Sequence, residues 1–296
     1  MQDDLPATEL HSRFSVLRRL YFLCICLMAG VVCLTSSLFA QREEQQTPQM
    51  PPGPPTVTIT KAQTGEYRPR FKPNRNEVTD KIIQQTNSFR EKEKLKPVVR
   101  DDILQKSAQD FADFMAKTGK YGHHADDQTP GDRVKSHGYE ICYIAENIAF
   151  QFRSNGFTTA SLTKTFFEGW KDSPPHRENM LQPSVTQTGV AISQSEETGA
   201  YFAVQLFGRP VSQAIHIQIN NPLESEISYQ LNEETYLLPP RYTRSHMLCV
   251  PATLHLRKNG KVVSSLEVES KTLYTAQIEK GEIDWIKSPL PSETSP

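Results

Sequence analysis

The hydrophobic period changes along this chain, and that change limits the fold more than any other feature. Residues 78–115 repeat apolar positions at helical spacing, as Leu104 and Ala108 show. From residue 187 onward apolar and polar residues alternate instead, a pattern typical of strands. Residues 76–210 therefore predict a compact α+β domain with three helices and at least one hairpin. The predicted helices cover 77–94, 101–119 and 157–170, and the hairpin strands cover 187–195 and 199–208.

Two adjacent prolines interrupt the last helical segment. A helix cannot run straight through Pro174 and Pro175, because proline lacks an N–H donor and pushes the preceding residue out of the helical region. The helix therefore ends near Trp170, and a short turn begins near Pro175 with Asp172 or Ser173 as its cap. His176 is expected at the start of that turn.

Residues 211–290 predict a separate all-β module. Ile215, Ile217 and Ile219 alternate with polar residues, and Asn259–Gly260 is a pair that favours a tight hairpin turn. No helical stripe competes with these strands. The expected architecture is a sandwich of about six or seven strands, followed by a disordered tail at 291–296.

The N-terminal 40 residues resemble an export signal. Three arginines precede an almost uncharged run of about twenty residues, close to the length that spans a bilayer. Both a cleaved signal peptide and a retained anchor over residues 20–40 fit this pattern. The Pro/Gln-rich residues 41–75 predict a semi-rigid linker, with a proline-motif ligand as the alternative. The protein is therefore expected outside the cytoplasm, extracellular or periplasmic, with membrane contact only through its N-terminal segment.

Composition excludes several functions. The formal net charge of −1 gives no general attraction to nucleic acid, and no P-loop, dinucleotide-binding or CxxC spacing is present. Beyond the apolar N-terminal run only Cys142 and Cys249 remain. They lie far apart in different predicted modules, so unpaired buried thiols are expected, with a disulfide as the alternative.

Histidines and a glutamate in three separated polar stretches are the candidate site. Two imidazoles and a carboxylate can hold zinc with one position open, so His123, Glu146 and His176 form a candidate metal set. The alternative is that they are surface or core residues. Glu146 could also accept backbone N–H groups and fix its own loop. Arg133 is interpreted as part of a structural ion pair.

Four motifs carry a resemblance to a known family. They are "TNSFREKEKLKPV", "GHHADDQTPGDRV", "AENIAF" and "GWKDSPPHRENML" followed by "TGVAI". Their order and spacing resemble the CAP superfamily, also called SCP-like extracellular proteins, and bacterial members most of all. The resemblance covers residues 78–208 and implies an α-β-α sandwich. It does not extend to the C-terminal module.

The resemblance also implies a cavity. Its lining falls on His123, Glu146, Ser173, His176 and Trp170, with the metal ligands at His123, His176 and Glu146. His123 is preferred to His124 because it follows "KYG" at the family spacing. Ser173 occupies a position that is acidic in animal members, which weakens a mechanism that needs two carboxylates.

Three functions follow as expectations. The first is a binding module whose cavity takes zinc or another divalent metal, a small molecule or a lipid. The second is a metal-dependent hydrolase in which Glu146 serves as the base. The third is an adhesive or scaffolding envelope protein, with the β module making contacts to a partner that the sequence does not identify. No catalytic residue is expected beyond Glu146, because Ser173 and His176 lack an orienting acid and an oxyanion loop.

Overall fold

The computed structural model describes residues 55–290. The predicted signal or anchor over residues 1–40, most of the proline cluster and the tail at 291–296 lie outside the described residues. Within 55–290, no helix has the length and apolar character needed to cross a bilayer.

The first part of the described chain is a three-layer α-β-α sandwich. A four-stranded sheet in the order β2-β5-β6-β4 forms its centre. Strand β2 is parallel to β5, and the other neighbours are antiparallel. In chain order the elements are β1 (Val57–Thr58), α1 (Lys61–Thr64), α2 (Arg75–Lys92), β2 (Val99–Arg100), α3 (Asp102–Thr118), β3 (Lys120–Tyr121), α4 (Pro130–Ser136), β4 (Ile141–Gln151), α5 (Thr159–Asp172), α6 (Pro174–Leu181), β5 (Gln187–Gln194) and β6 (Tyr201–Pro210).

Strand alternation sends the apolar residues of the sheet into two cores. Val190 and Ile192 of β5 pack with helices α2, α5 and α6 on one face. Ala191, between them, packs with α3 and α4 on the other. Both faces are covered, so the central strands are almost continuously buried. This arrangement confirms the predicted fold class.

Helix α3 ends where its sequence signals place it. The side chain of Asp101 accepts hydrogen bonds from the backbone N–H groups of Ile103 and Leu104, both at 3.0 Å. Gly119 ends the helix with φ of 70°. A Cβ there would lie 2.7 Å from the carbonyl oxygen of Ile59, so only glycine fits this close approach.

Three elements differ from the prediction. Strand β4, which carries the "AENIAF" motif, was expected as a loop, but it pairs with β6 along almost its whole length. Its two buried polar residues, Glu146 and Asn147, hide the strand pattern in the sequence. Helix α4 was not predicted; a reciprocal cap between Thr129 and Asp132 starts it. The turn after the prolines is an eight-residue helix with Ser173 as its N-cap.

Residues 57–75 also differ from the predicted spacer. Strand β1 pairs with β3, and Ile59 is only 7% exposed within the core beneath α3. Further along, Tyr67 packs against Phe152 with ring centroids 6.2 Å apart. The apolar residues of this segment therefore hold it against the domain.

The C-terminal region is an all-β arrangement of two four-stranded sheets around one core. Eight strands are present rather than six or seven. Strands β9 and β10 were missed, because both are edge strands with one buried residue each and no clear alternation. Asn259 and Gly260 have φ of 50° and 75°, as the predicted hairpin turn requires. The strands are β7 (Ile215–Asn221), β8 (Ile227–Leu231), β9 (Glu234–Leu238), β10 (Tyr242–Leu248), β11 (Thr253–Lys258), β12 (Lys261–Glu267), β13 (Thr272–Glu279) and β14 (Glu282–Pro289).

A disulfide joins the sandwich to the β region. Cys142, near the start of β4, is bonded to Cys249, which follows β10. The expectation of two unpaired thiols is therefore wrong. The start of β4 lies beside the end of β6, where the chain leaves the sandwich for the β region, so the fold brings together two residues 107 positions apart.

The disulfide predicts what happens when the chain is cut between the sandwich and the β region. We expect a protease site inserted at Val211–Gln213 to yield two pieces that stay together on a non-reducing gel and separate after reduction. The same cut in a Cys142→Ala variant should release the pieces without reductant. Separation of the unreduced parent protein would show that the two cysteines are not paired.

Candidate functional site

Three separate elements bring the predicted metal set together. His123 lies in the loop between β3 and α4, Glu146 lies in the middle of β4, and His176 lies in the first turn of α6. His123 contacts the carboxylate of Glu146 directly. Side-chain amides bond the backbone carbonyl of His176 to β4 and the backbone carbonyl of Glu146 to α6. His123 and Glu146 are thus in direct contact, and His176 lies on a helix bonded to the same strand.

The carboxylate of Glu146 is fully buried and uses both of its oxygens. Its side chain has an exposed fraction of 0%. Oε1 lies 2.8 Å from Nδ1 of His123, and Oε2 accepts a hydrogen bond of 2.7 Å from Nη2 of Arg133. The alternative in which backbone N–H groups hold this carboxylate is wrong, because two side chains hold it instead.

The contact with Glu146 selects the tautomer of His123. A carboxylate oxygen can only accept a hydrogen bond, so Nδ1 of His123 carries the proton. In the neutral ring Nε2 then has the free electron pair. Nε2 is therefore the atom that would bind a metal or accept a hydrogen bond from a ligand.

Arg133 compensates the buried negative charge. Its guanidinium is paired with Glu146 and, at 2.8 Å, with Asp126. It also donates to the backbone carbonyl of His123 and stacks 3.6 Å from the ring centroid of Phe111. The interpretation of Arg133 as a structural ion-pair residue is confirmed. Asp126 was missed, although it lies in the same "HHADDQTPGDRV" motif.

His176 is held in the form that a metal ligand requires. Burial lowers the pKa of its imidazole, and the nearby charge of His123 lowers it further. The ring therefore stays neutral at lower pH than an ordinary histidine.

Amide groups fix the helix that carries His176. Asn147 donates to the carbonyl oxygen of His176 at 3.1 Å. Asn179 donates to the carbonyl oxygen of Glu146 at 3.2 Å and to the side chain of Asn147 at 2.9 Å. At the other end of α6, buried Arg90 donates to the carbonyl oxygens of Met180 (2.8 Å) and Gln182 (2.9 Å). These bonds connect helix α6 to β4 and, at its C-terminal end, to α2.

Trp170 and Ser173, the other residues predicted to line the cavity, belong to the core and to a helix end. Trp170 is 1% exposed, packs in the core with α2, and donates from its indole nitrogen to the carbonyl of Ile148 at 3.2 Å. Ser173 is the N-cap position of α6 and makes no side-chain cap bond. Tyr121, which the sequence did not single out, donates to the same carbonyl at 3.2 Å. Burial and the charge of Glu146 raise the pKa of Tyr121 to about 12.

The two imidazoles are the candidate metal donors of the site. Among residues 55–290, no group of three or more His, Cys, Asp and Glu side chains is arranged to hold a metal ion. Both oxygens of Glu146 already have side-chain partners, His123 and Arg133. Nε2 of His123 and the neutral imidazole of His176 remain as donors of the type that zinc accepts.

Comparison with known proteins places this site in a family. Residues 83–207 match the model of CAP, the cysteine-rich secretory protein family. The uncharacterized protein YkwD of Bacillus subtilis is 31% identical over 130 residues, which are 44% of this chain and 46% of YkwD. The chain thus matches about half the length of that relative.

Two solved bacterial structures are similar to part of this chain. An extracellular protein containing a SCP domain from Bacillus anthracis is 27% identical with a TM-score of 0.38, over 46% of this chain and 41% of that one. An outer surface protein from Borrelia burgdorferi is 19% identical with a TM-score of 0.40, over 45% of this chain and 93% of that one.

The buried ion pair predicts a large effect of Glu146→Gln on stability. Arg133 would keep Asp126 but lose its second carboxylate in a buried position. We expect the free energy of unfolding to fall by about 3 kcal/mol, the scale for breaking a buried pair. Denaturant unfolding of the two proteins measures this difference.

Glu140→Gln is the matched control, since Glu140 is exposed just before β4. It should change stability by less than about 0.5 kcal/mol. Equal stability of Glu146→Gln and the parent protein would show that the pair with Arg133 contributes nothing.

Proposed function

Because residues 83–207 form a CAP domain of bacterial type, we propose that this protein is an exported binding module that takes a divalent metal through His123 and His176. Glu146 orients His123 instead of ligating the metal. Zinc is the best match to a pair of imidazoles, and small oxygen ligands or water would complete its coordination. When bound, zinc supplies a positive charge that can hold an anionic or carbonyl oxygen.

The 2.8 Å contact between Glu146 and Nδ1 of His123 carries this proposal. Metal-ligating histidines commonly donate their other ring N–H to a carboxylate, which fixes the tautomer and the ring orientation. Arg133 holds the opposite oxygen of the same carboxylate, so the carboxylate has little freedom to turn. A surface histidine would not need a buried carboxylate to fix its tautomer and ring orientation.

The same contacts weigh against the hydrolase alternative. A general base must accept a proton from water through a free oxygen within hydrogen-bond reach. The oxygens of Glu146 instead face His123 and Arg133, and its side chain is shielded from solvent. Ser173 cannot replace it, because a hydroxyl without an adjacent base is a poor proton acceptor.

Two observations support a location outside the cytoplasm. The disulfide between Cys142 and Cys249 is of the kind that persists in oxidising compartments. The N-terminal sequence has the basic and apolar segments of an export signal.

Metal titration of residues 46–296 tests the proposal. The described residues 55–290 belong to one compact unit, and their hydrophobic cores lie within 59–285. We expect calorimetry to show one Zn²⁺ site near neutral pH, with affinity at least tenfold weaker in His123→Ala and in His176→Ala. Acid should release the metal, because protons compete for the imidazoles. The lowered pKa of His176 means that protons compete for its imidazole less strongly than for an ordinary histidine.

His124→Ala is the matched control, because His124 is the adjacent residue and is exposed. It should bind zinc like the parent protein. Loss of the site in His124→Ala, or its survival in His176→Ala, would contradict the assignment. A chelator-sensitive hydrolysis of ester or peptide substrates that disappears in Glu146→Gln would favour the hydrolase instead.

A further inference from the structure

A cationic surface lies on the segment that was expected to be a spacer. It comprises Arg68, Arg70, Lys72 and Arg75 in the segment 67–75, and Arg153 on the loop beneath. All five are exposed. We refer to these five residues as the basic strip.

Backbone hydrogen bonds hold this segment along the loop after β4. The N–H groups of Arg68 and Arg70 donate to the carbonyl oxygens of Ser154 and Asn155, both at 2.8 Å. Tyr67 packs inward against Phe152. The cationic side chains of Arg68, Arg70, Lys72 and Arg75 are exposed on the solvent side.

The charge of this surface is not compensated by its neighbours. Residues 61–75 contain five cationic side chains and one carboxylate, a net charge of 5 − 1 = +4, whereas the whole chain has −1. Glu66 pairs with Arg68 at 2.9 Å, but both side chains are largely exposed and the pair is weak. Within residues 55–290, no carboxylate forms an ion pair with Arg70, Lys72 or Arg75.

An exposed aromatic ring accompanies the charges. Phe71 lies between Arg70 and Lys72 and is 48% exposed. Its backbone pairs with Gly156, so its position is fixed by the fold. Exposed aromatic rings flanked by cationic side chains suit the interface between lipid headgroups and acyl chains.

We propose that the basic strip, with Phe71, docks on an anionic lipid bilayer. Cationic side chains would meet the phosphate groups, and the phenyl ring would enter the headgroup region. The chain length favours a bilayer as the source of these phosphates. Only residues 41–54 separate the predicted membrane segment from the first described residue, and a chain of that length spans at most about 50 Å.

Vesicle flotation with residues 46–296, which lack the apolar segment, tests this proposal. We expect binding to vesicles of phosphatidylcholine mixed with phosphatidylglycerol, weakening as salt rises, and no binding to phosphatidylcholine alone. Arg70→Gln, Lys72→Gln and Arg75→Gln combined should weaken partitioning about a hundredfold, since each cation near an anionic membrane contributes similarly. Phe71→Ser should also weaken it, with the salt dependence retained.

Two control variants distinguish the effect of the strip's charges from a loss of folding and from a general fall in net charge. Arg70→Lys with Arg75→Lys keeps the charge and should bind like the parent protein. Lys258→Gln, Lys261→Gln and Lys280→Gln remove three exposed cations from the β region and should leave binding unchanged.

Three outcomes would overturn the proposal. One is equal binding to neutral and anionic vesicles, and another is full binding by the triple Gln variant of the basic strip. The third is binding to a soluble polyphosphate polymer with none to anionic vesicles, which would assign the strip to an anionic wall polymer.

Discussion

The buried carboxylate of Glu146 is the constraint on which the site depends. A charge in the middle of a covered sheet requires partners, and Arg133 and His123 supply them from the loop and helix that follow β3. The pairing fixes that loop to β4 and selects the tautomer of His123. One buried carboxylate therefore determines both the local fold and the free nitrogen that the site presents.

Helix α6 depends on a second set of polar contacts around the same strand. Asn147 and Asn179 connect its first turns to β4, and Arg90 satisfies carbonyl oxygens at its C-terminal end. The prolines at the start of α6 set where the helix begins, and these amide contacts set where it lies. His176 is thus positioned by its neighbours' backbone groups as much as by its own side chain.

The sequence predicted the elements whose signals are local. Helix α3 has an acidic cap and a terminal glycine, and the double proline marks the corner before α6. Strand β4 was hidden because Glu146 and Asn147 are polar at its centre, and only tertiary contacts explain their burial. The disulfide between Cys142 and Cys249 was missed for a related reason. Its formation depends on how the sandwich meets the β region, which residue spacing does not encode.

The protonation state of the His123 ring reports directly on whether Glu146 orients it. Nitrogen NMR of residues 46–296 labelled with ¹⁵N-histidine distinguishes the two neutral tautomers. We expect the neutral ring of His123 to carry its proton on Nδ1, and added Zn²⁺ to shift the Nε2 resonance. A His123 protonated at Nε2, or a metal-induced change at Nδ1, would contradict the role assigned to Glu146.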